Sequence, residues 1–260
     1  MIHKTAIIDS KARISNNVRI GPYSIIGPNV HIGENTTIHS HVCILGNTII
    51  GNQNIIYPFA SIGNEPQDLK YNGEQTKLTI GNNNIIREHV TISCGTIGGG
   101  GETIVGNNCL LMISSHVAHD CILGNNVIIA NNVAIGGHAQ IADYVVIGGN
   151  SAVQQFTRIG KMAMIGGMTG VLKDVIPYSL SIGNRNFLQG LNLIGLRRKD
   201  IANEKIISLS NAYKEIFKTD RLTENLIKLN GSFKNNPLVS DVIKFINEDK
   251  RRPICTPFSK

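Results

Sequence analysis

The chain has 260 residues and a formal net charge of +7, placed unevenly: residues 1–150 carry 7 basic and 9 acidic side chains, and residues 151–260 carry 18 and 9. A basic second half indicates either an acidic partner, such as a phosphate-bearing substrate or an acidic carrier protein, or a merely solvated basic surface. No apolar run of about 18 residues occurs, so we expect no membrane segment. The repeat described below starts at Ile2, so we expect no signal peptide and a cytoplasmic location. No nucleic-acid-binding motif is present, so we expect no nucleic-acid partner.

An aliphatic residue recurs every six positions along most of the chain. The register runs without a break at first, resumes after a polar stretch, and then slips by one residue. The aliphatic positions are Ile2, Ile8, Ile14, Ile20, Ile26, Ile32, Ile38, Ile44, Ile50, Ile56, Ile62, Ile80, Ile86, Ile92, Val105, Leu111, Val117, Leu123, Ile129, Ile135, Ile141, Ile147, Val153, Ile159, Ile165 and Val171. This period fits neither a helix nor plain strand alternation, and it predicts a parallel β-helix in which each repeat buries its apolar face only against the next.

The residues between the aliphatic positions predict corners and a shared core. Glycine often follows the aliphatic residue, with Asn or Asp close behind, as in Gly51-Asn52. Such residues tolerate left-handed backbone angles and suit a corner in every repeat. Four positions after each aliphatic residue stands a small or β-branched residue, and Cys109 and Cys121 occupy that position. The five cysteines form no Cys-x-x-Cys pair, so we expect reduced thiols.

Two segments interrupt the repeats, near residues 63–79 and 97–103. The first contains Gln67-Asp68-Leu69-Lys70, and the second contains Gly98-Gly99-Gly100-Gly101. Four glycines could form a phosphate cradle, but no lysine or helix start follows them, so we predict a flexible loop. The β-helix with its two loops is expected to span residues 1–186.

Residues 187–260 are predicted to form a helical domain that covers the open end of the solenoid, a need that repeat stacks have. Asn230-Gly231 predicts a helix end, and Asn236-Pro237 predicts an N-cap followed by proline at the first helical position. Three amphipathic helices are indicated by apolar residues at helical spacing: Ile206, Leu209, Tyr213 and Ile216; Leu222, Leu226 and Leu229; and Leu238, Val242 and Phe245.

Polar residues gather where the repeat is otherwise apolar: His116, His119, Asp120 and His138. If three repeats make one turn of roughly 18 residues, stacked residues lie about 4.8 Å apart, the spacing of neighbouring strands. Gly137 then stacks over His119, with Gln155 above it, and His138 stacks over Asp120.

Three interpretations of this cluster compete. A neutral imidazole beside a carboxylate could act as a general base. Three histidines could instead hold a catalytic zinc, or they could be surface histidines without a role. The His-x-x-His spacing and the lack of a third ligand five residues further on argue against zinc, so we expect no metal.

The motifs around the cluster resemble those of one family. They are Gln67-Asp68-Leu69-Lys70-Tyr71, Leu110-Leu111-Met112, His116-Val117-Ala118-His119-Asp120-Cys121, Gly136-Gly137-His138, Gln155-Phe156 and Asn211-Ala212-Tyr213-Lys214. Together they are similar to the UDP-N-acetylglucosamine O-acyltransferases over nearly the whole chain. They are far more specific than the hexapeptide repeat, which many acyl- and acetyltransferases share.

The resemblance implies a mainly-β fold, a left-handed parallel β-helix of hexapeptide repeats with a C-terminal α-helical domain, assembled as a homotrimer. It implies an enzyme that transfers a 3-hydroxyacyl group to the 3-hydroxyl of UDP-N-acetylglucosamine, the first step of lipid A synthesis. The acyl donor is a thioester on the phosphopantetheine of acyl carrier protein, and no other cofactor is implied. Because acyl carrier protein is acidic, the resemblance also accounts for the basic second half of the chain.

By position in these motifs, the resemblance implies that His119 takes the hydroxyl proton, that Asp120 orients His119, and that the Gly137 N–H stabilises the oxyanion. Asp68 and Lys70 are implied to reach the sugar or its phosphates from the first loop. Five further residues are implied to line a cleft between subunits: His116, His138, Gln155, Asn192 and Arg198.

Gly167 falls where the family sets acyl length, and the lack of a side chain leaves room for a longer chain. It stands eight hexapeptides beyond His119, and eight is not a multiple of three, so the two residues lie on different corners of a three-sided coil. An acyl chain near both must therefore lie in a groove that a neighbouring subunit completes.

Two positions depart from the family pattern, and two other activities stay open. Gln154 stands where histidine is frequent, and Ile194 replaces an acidic residue at the nucleotide end, which bears on nucleotide contacts and sugar preference. The alternatives are a same-family N-acyltransferase acting on a UDP-3-amino sugar and an acetyl-CoA-dependent hexapeptide acetyltransferase. A scaffold protein with this solenoid would not require the His119–Asp120 pair.

Overall fold

Strands of two to five residues follow one another at the predicted spacing in the computed structural model, which describes residues 1–229, 231–249 and 251–258. The first nine strands are β1 (Ile7–Ile8), β2 (Arg13–Ile14), β3 (Arg19–Ile20), β4 (Ile25–Ile26), β5 (Val30–Ile32), β6 (Thr37–Ile38), β7 (Cys43–Ile44), β8 (Asn47–Ile50) and β9 (Ile55–Ile56). The next nine are β10 (Ser61–Asn64), β11 (Lys77–Ile80), β12 (Ile85–Ile86), β13 (Thr91–Ser93), β14 (Glu102–Val105), β15 (Leu110–Leu111), β16 (His116–Val117), β17 (Ile122–Leu123) and β18 (Ile128–Ile129). The last nine are β19 (Ala134–Ile135), β20 (Gln140–Ile141), β21 (Val146–Ile147), β22 (Ala152–Val153), β23 (Arg158–Ile159), β24 (Met164–Ile165), β25 (Gly170–Val171), β26 (Ser179–Ile182) and β27 (Phe187–Leu191).

Every third strand joins the same sheet, so the chain winds around three faces, and the coil strands within each face run parallel to one another. The first face runs from β1 through β4 to β25, the second from β2 through β5 to β23, and the third from β3 through β6 to β24 and β26. Among the strands of the described residues, β27 alone pairs antiparallel, with β26. The predicted class is confirmed: the fold is mainly β, a left-handed parallel β-helix.

The predicted aliphatic column forms the core. Every member from Ile20 to Val171 is buried, and the small or β-branched residues such as Val18 and Val127 are buried beside it. Ile2, Ile8 and Ile14 are less buried, because the first turn has no turn beneath it. Apolar burial between stacked turns is therefore what holds the solenoid together.

The three corners between the faces all use left-handed backbone. The first corner joins the first face to the second, and Asp120, His138 and Phe156 take positive φ there. At the second corner, between the second and third faces, the residues with positive φ are Asn17, Asn35, Gln53, Asn83, Asn108, Asn126, Tyr144, Met162 and Tyr178. At the third corner they are Tyr23, His41, Phe59, His89, Ser114, Asn132, Asn150 and Met168. The predicted Asn-rich corner is thus mainly the second one.

Both insertions leave the coil at the first corner. The first loop covers residues 65–76 and the second covers 94–101, because the residues from Lys77 and from Glu102 onward already pair as strands. Both loops differ in their bounds from the predicted ranges of 63–79 and 97–103: the first is shorter at both ends, and the second begins and ends earlier. Residues stacked on one another are 18 apart in unbroken turns, 30 apart across the first loop and 25 apart across the second.

The helices follow β27. They are α1 (Leu193–Arg198), α2 (Asn203–Ile216), α3 (Leu222–Lys228), α4 (Gly231–Lys234) and α5 (Pro237–Glu248). The three predicted amphipathic segments form α2, α3 and α5, whereas the short α1 and α4 were not predicted. Asn236 caps α5 as predicted, since its side chain accepts the Leu238 N–H. Asn230 lies outside the described residues, and Gly231 already begins α4.

The end of the chain returns to the solenoid. Ile254 forms a parallel bridge with Asp174, and Pro257 forms one with Leu188. Asp174 also holds Arg158 in a buried ion pair at 2.7 Å, and the Arg158 guanidinium lies 4.2 Å over the Phe245 ring of α5. These contacts fasten the helical region to the last turns of the coil.

All five cysteines are free thiols, and Cys43 alone among them is not buried. Burial raises the pKa of the Cys121 thiol to about 12, which keeps it protonated and unreactive. None of the helices in the described residues is long and apolar enough to cross a bilayer.

Candidate active site

The predicted cluster forms on the first corner, above the second loop. The strand β16 ends at Val117, and the chain then turns through Asp120, whose φ is 59°. The His138 N–H donates to the His119 carbonyl at 3.0 Å, and the Phe156 N–H donates to the Gly137 carbonyl at 2.9 Å. Each bond joins residues 19 apart, and the adjoining strands pair His116 with Ala134, 18 residues further on, so the predicted stacking of residues 18 apart is confirmed on this corner.

His119 and Asp120 form a tight pair. The His119 Nδ1 lies 2.8 Å from the Asp120 Oδ2, and the two side chains are 12% and 0% exposed. A carboxylate oxygen accepts hydrogen bonds, so this contact assigns the proton to Nδ1 and leaves Nε2 with a free lone pair. The arrangement is that of an imidazole oriented for general base chemistry.

Gly137 packs its backbone directly against the His119 ring. A Cβ at Gly137 would lie 2.7 Å from both Cε1 and Nε2 of His119, so any side chain there would displace the ring. In the described part of the chain, the Gly137 N–H donates to no acceptor. A glycine at this position therefore allows both close approach of the imidazole and a free amide beside it.

Two more histidines surround the pair. The His138 ring lies edge-on to His119 at 5.0 Å, stacks on Phe156 at 4.2 Å, and has its Nδ1 3.9 Å from the Asp120 carboxylate. His116 shares a hydrogen bond of 2.7 Å with the Thr91 hydroxyl. Burial lowers the pKa of both His116 and His138, which favours neutral imidazoles around the base.

A shallow cavity of about 410 Å³ opens in front of these groups. Two small residues of the first face, Ala134 and Ala152, line the cavity, and Gln67 of the first loop lines it as well. Of the predicted site residues, the structure brings four to this cavity: His116, His119, Gly137 and Gln155. Asp120 and His138 adjoin it through their contacts with His119.

The first loop places its two predicted residues differently. Burial, Asp120 and His119 have the larger effects on the His138 pKa, and the negative charge of Asp68 acts to raise it. The Asp68 carboxylate also accepts the Lys70 N–H at 3.0 Å, while the Lys70 side chain points to solvent. Asp68 is thus near the cluster, and the loop contributes Gln67 rather than Lys70 to the cavity.

Three predicted residues lie away from this cavity in the same chain. Gly167 is exposed on the third corner, between β24 and β25. Asn192 caps α1 by accepting the Gly195 N–H, and its amide donates to the Met162 carbonyl at 2.9 Å. Arg198 is exposed at the end of α1. The two family departures, Gln154 and Ile194, are both exposed.

Several residues at the site were not predicted. Thr96 and Gly99 of the second loop contact Asp120, Thr91 contacts His116, and Arg252 donates to the Gln155 carbonyl at 2.8 Å. The one available indication was the interruption of the repeat a turn below the histidines. The offset of 18 fails across that interruption, so it could not identify which loop residues meet Asp120.

The described residues contain one group of potential metal ligands, and it belongs to the same cluster. Ligand atoms of His119, Asp120 and His138 lie within 4.8 Å of one another. However, Asp120 Oδ2 already accepts hydrogen bonds from His119 and from the Thr96 hydroxyl. This bonding matches an oriented base better than a metal centre.

A β-helix of hexapeptide turns with an oriented imidazole on one corner defines the class of hexapeptide-repeat acyltransferases. Family models agree: "Bacterial transferase hexapeptide (six repeats)" matches residues 11–46 and 102–137, and "Udp N-acetylglucosamine O-acyltransferase; Domain 2" matches residues 174–255. The second model covers the last strands and the helical end of the chain.

Similarity to individual proteins extends over almost the whole chain. The acyl-[acyl-carrier-protein]--UDP-N-acetylglucosamine O-acyltransferases of Rickettsia canadensis and Bartonella bacilliformis are 52% and 45% identical, each over 98% of this chain and over 97% and 94% of their own lengths. The crystal structure of UDP-N-acetylglucosamine O-acyltransferase from Moraxella catarrhalis aligns with a TM-score of 0.94 at 45% identity, covering 97% of this chain and 98% of that one. The Francisella novicida UDP-N-acetylglucosamine acyltransferase aligns with a TM-score of 0.95 at 36% identity, covering 98% and 94%. The chain belongs to the UDP-N-acetylglucosamine O-acyltransferase family.

Proposed function

We propose that this acyltransferase carries a 3-hydroxyacyl group from acyl carrier protein to the 3-hydroxyl of UDP-N-acetylglucosamine, the first step of lipid A synthesis. The names of relatives at about half identity support this reaction over an amino-sugar or an acetyl-CoA reaction. The observation that carries it at the site is the His119–Asp120 pair with the Gly137 backbone against the ring.

The reaction is a direct acyl transfer. The sugar hydroxyl oxygen attacks the thioester carbonyl carbon while His119 Nε2 takes its proton. The negative charge that develops on the carbonyl oxygen is stabilised by the Gly137 N–H, which has no acceptor of its own among the described residues. The C–S bond then breaks, and the phosphopantetheine thiolate leaves and receives a proton from the His119 imidazolium. The ester of the sugar and the free carrier thiol are the products.

Direct transfer is favoured over an acyl-enzyme. The Cys121 thiol, two residues after the base in sequence, is buried and points into the core, and burial raises its pKa. Ser115 is buried as well. With no exposed, activated nucleophile beside His119 in the described residues, the hydroxyl of the acceptor serves as nucleophile.

The active enzyme is proposed to be a homotrimer. An outward column of apolar side chains follows the third face: Ile55, Ile85, Leu110, Ile128, Val146 and Met164. Ile55 and Ile85 are 36% and 38% exposed, which suits cover by a neighbouring copy of this chain. Gly167 lies on a different corner from His119, so a groove that includes both needs a second subunit. Light scattering should give three times the chain mass.

The groups away from the cavity take their roles in the assembled cleft. Asn192 and Arg198 at α1 are proposed to bind the nucleotide end of the acceptor. Asp68 and Lys70 of the first loop are proposed to contribute to the same cleft. Arg197, Arg198 and Lys199 are all exposed, and the second half of the chain is basic. This charge supports binding of phosphate or of the acidic carrier protein. We propose a cytoplasmic location, which the five free thiols support.

One experiment tests the function. The protein is incubated with UDP-N-acetylglucosamine or its 3-amino analogue and with 3-hydroxyacyl thioesters of acyl carrier protein of several lengths, and the products are weighed by mass spectrometry. We expect an ester of UDP-N-acetylglucosamine with one chain length preferred. Acylation of the 3-amino analogue alone, or transfer from acetyl-CoA alone, would contradict the proposal.

A further inference from the structure

The second loop folds over the carboxylate that orients the base. The Thr96 N–H donates to Asp120 Oδ1 at 2.8 Å, and the Thr96 hydroxyl donates to Asp120 Oδ2 at 2.6 Å. Asp120 Oδ2 is the same oxygen that accepts the His119 Nδ1–H. The carboxylate therefore accepts three hydrogen bonds, and one residue of the loop supplies two of them.

The glycines of the loop make this contact possible. A Cβ at Gly99 would lie 2.1 Å from Asp120 Cγ and 2.2 Å from Oδ2, so only glycine lets the loop close over the carboxylate. Gly100 and Gly101 have φ of 105° and 84°, in the range that favours glycine. The Gly99 and Gly101 N–H groups both donate to the Thr96 carbonyl, which fixes Thr96 as the N-cap of a single 3-10 turn.

Asp120 is also held from the coil itself. Its N–H donates at 2.8 Å to the hydroxyl of Thr103, a fully buried residue of β14. The Asp120 side chain is 0% exposed, so no water competes for the carboxylate. Both the backbone and the side chain of Asp120 are thus fixed by two threonines, one on each side of the glycine loop.

We infer that Thr96 is a positioning residue for the reaction: by occupying the Asp120 carboxylate with two donors, it fixes the oxygen that selects the Nδ1–H tautomer of His119. Loss of the hydroxyl frees the carboxylate to turn, and the imidazole then exchanges its proton between Nδ1 and Nε2. A ring protonated on Nε2 presents no base to the acceptor. This inference rests on the proposed role of His119 as base.

The first test compares Thr96→Val with Thr96→Ser. Valine keeps the shape and the backbone N–H but removes the hydroxyl, and we expect kcat to fall about tenfold to a hundredfold with the KM for either substrate within about twofold. Serine restores the donor and should recover most of kcat. Thr36→Val is the matched control, because Thr36 is also buried and donates its hydroxyl to the Gly51 carbonyl away from the site. A Thr96→Val enzyme with the kcat of the parent would overturn the inference.

A second variant guards against failure of the first to fold. Gly99→Ala places a methyl group against the carboxylate, so the loop or Asp120 must shift, and kcat should again fall with little change in KM. Adding Thr96→Val to Asp120→Asn should cost no further activity, because both changes act through the same carboxylate. Multiplicative losses in that double variant would show that Thr96 acts elsewhere.

A spectroscopic readout separates this inference from the proposed function. In protein labelled with ¹⁵N-histidine, the His119 resonances, identified by their loss in His119→Gln, should report the Nδ1–H tautomer in the parent and a mixture in Thr96→Val. An unchanged tautomer in Thr96→Val overturns the positioning role whatever the activity. A fully active His119→Ala enzyme would instead refute the proposed base and leave the tautomer result standing.

Discussion

The first and second corners of the coil share their backbone geometry and differ in what their side chains do. At the second corner, the residue just before the left-handed position accepts the N–H of the equivalent residue one turn below, at 2.7–2.9 Å. The accepting side chains are Asn52, Asn82, Asn107, Asn125 and Asp143, and the donors are the N–H groups of Glu34, Asn52, Asn82, Asn107 and Asn125. The result is an unbroken ladder that uses the corner amides for stability.

The same position on the first corner holds His119, Gly137 and Gln155 in successive turns. Gly137 has no side chain to accept the His119 N–H, and the Gln155 side chain does not accept the Gly137 N–H, so neither amide makes such a bond in the described structure. This corner becomes reactive because two hydrogen bonds of the ladder are missing and an imidazole faces outward. Stability and chemistry thus compete for the same backbone amide.

The largest expected effect comes from a substitution that changes the first corner alone. His119→Ala removes the base, and kcat should fall by about 10²–10⁴, or roughly 3–5 kcal/mol of barrier. His119→Gln keeps a hydrogen-bonding side chain without a base and should be nearly as slow. Steady-state kinetics measure the loss, and melting curves should stay close to the parent because the ring lies outside the core. Activity within a few-fold of the parent would refute the mechanism.

A change at the third corner should alter specificity rather than rate. Gly167 has ordinary backbone angles, and a Cβ there would lie 3.3 Å from the Gly149 carbonyl oxygen and 4.0 Å from the Gly149 nitrogen, so Gly167→Met should fold with a small local shift. Its side chain would shorten the proposed acyl groove, and each excluded methylene is worth about 0.8 kcal/mol. Competition between thioesters of different length should then favour shorter chains at a similar maximal rate. A donor profile equal to that of the parent would remove Gly167 from this role.

The converse experiment breaks the second corner. Asn125→Ala leaves the Asn107 N–H without its acceptor, and one hydrogen bond of this kind is worth about 1 kcal/mol. At equal protein concentration the melting temperature should fall by about 2–4 °C while kcat stays that of the parent. If Asn125→Ala lost activity as severely as His119→Ala, the two corners would not differ as described.

The smallest effect is a loss of stability in mild acid. Burial lowers the pKa of His116 and His138 in the folded chain, below the ordinary value of 6.5. As the pH falls below about 6.5, the unfolded chain therefore binds protons that the folded chain does not, and stability declines. The unfolding midpoint in urea should decrease between pH 7.5 and 5.5, and less so in His116→Gln. An equal decrease in the variant would exclude His116 as a source.

The sequence predicted the first corner well where the repeat is unbroken and poorly where it is not. The stacking of Gly137 on His119 and of His138 near Asp120 follows from an offset of 18, which holds through this part of the coil. Thr91 lies beneath His116 at an offset of 25, and Thr96 reaches Asp120 across the same insertion. No periodicity spans that loop, so these partners could not be assigned from spacing.

The sequence by itself determined the coil, its buried aliphatic column, the three main helices and the residues that meet on the reactive corner. A parallel β-helix allows this because each turn repeats the last, so a fixed offset converts position along the chain into contact. The tertiary structure alone decided which segments outside the repeat reach the site: Gln67 from the first loop, Thr96 and Gly99 from the second, and Arg252 from the end of the chain. Their positions depend on loop closure and on packing between distant segments, and neither leaves a period in the sequence.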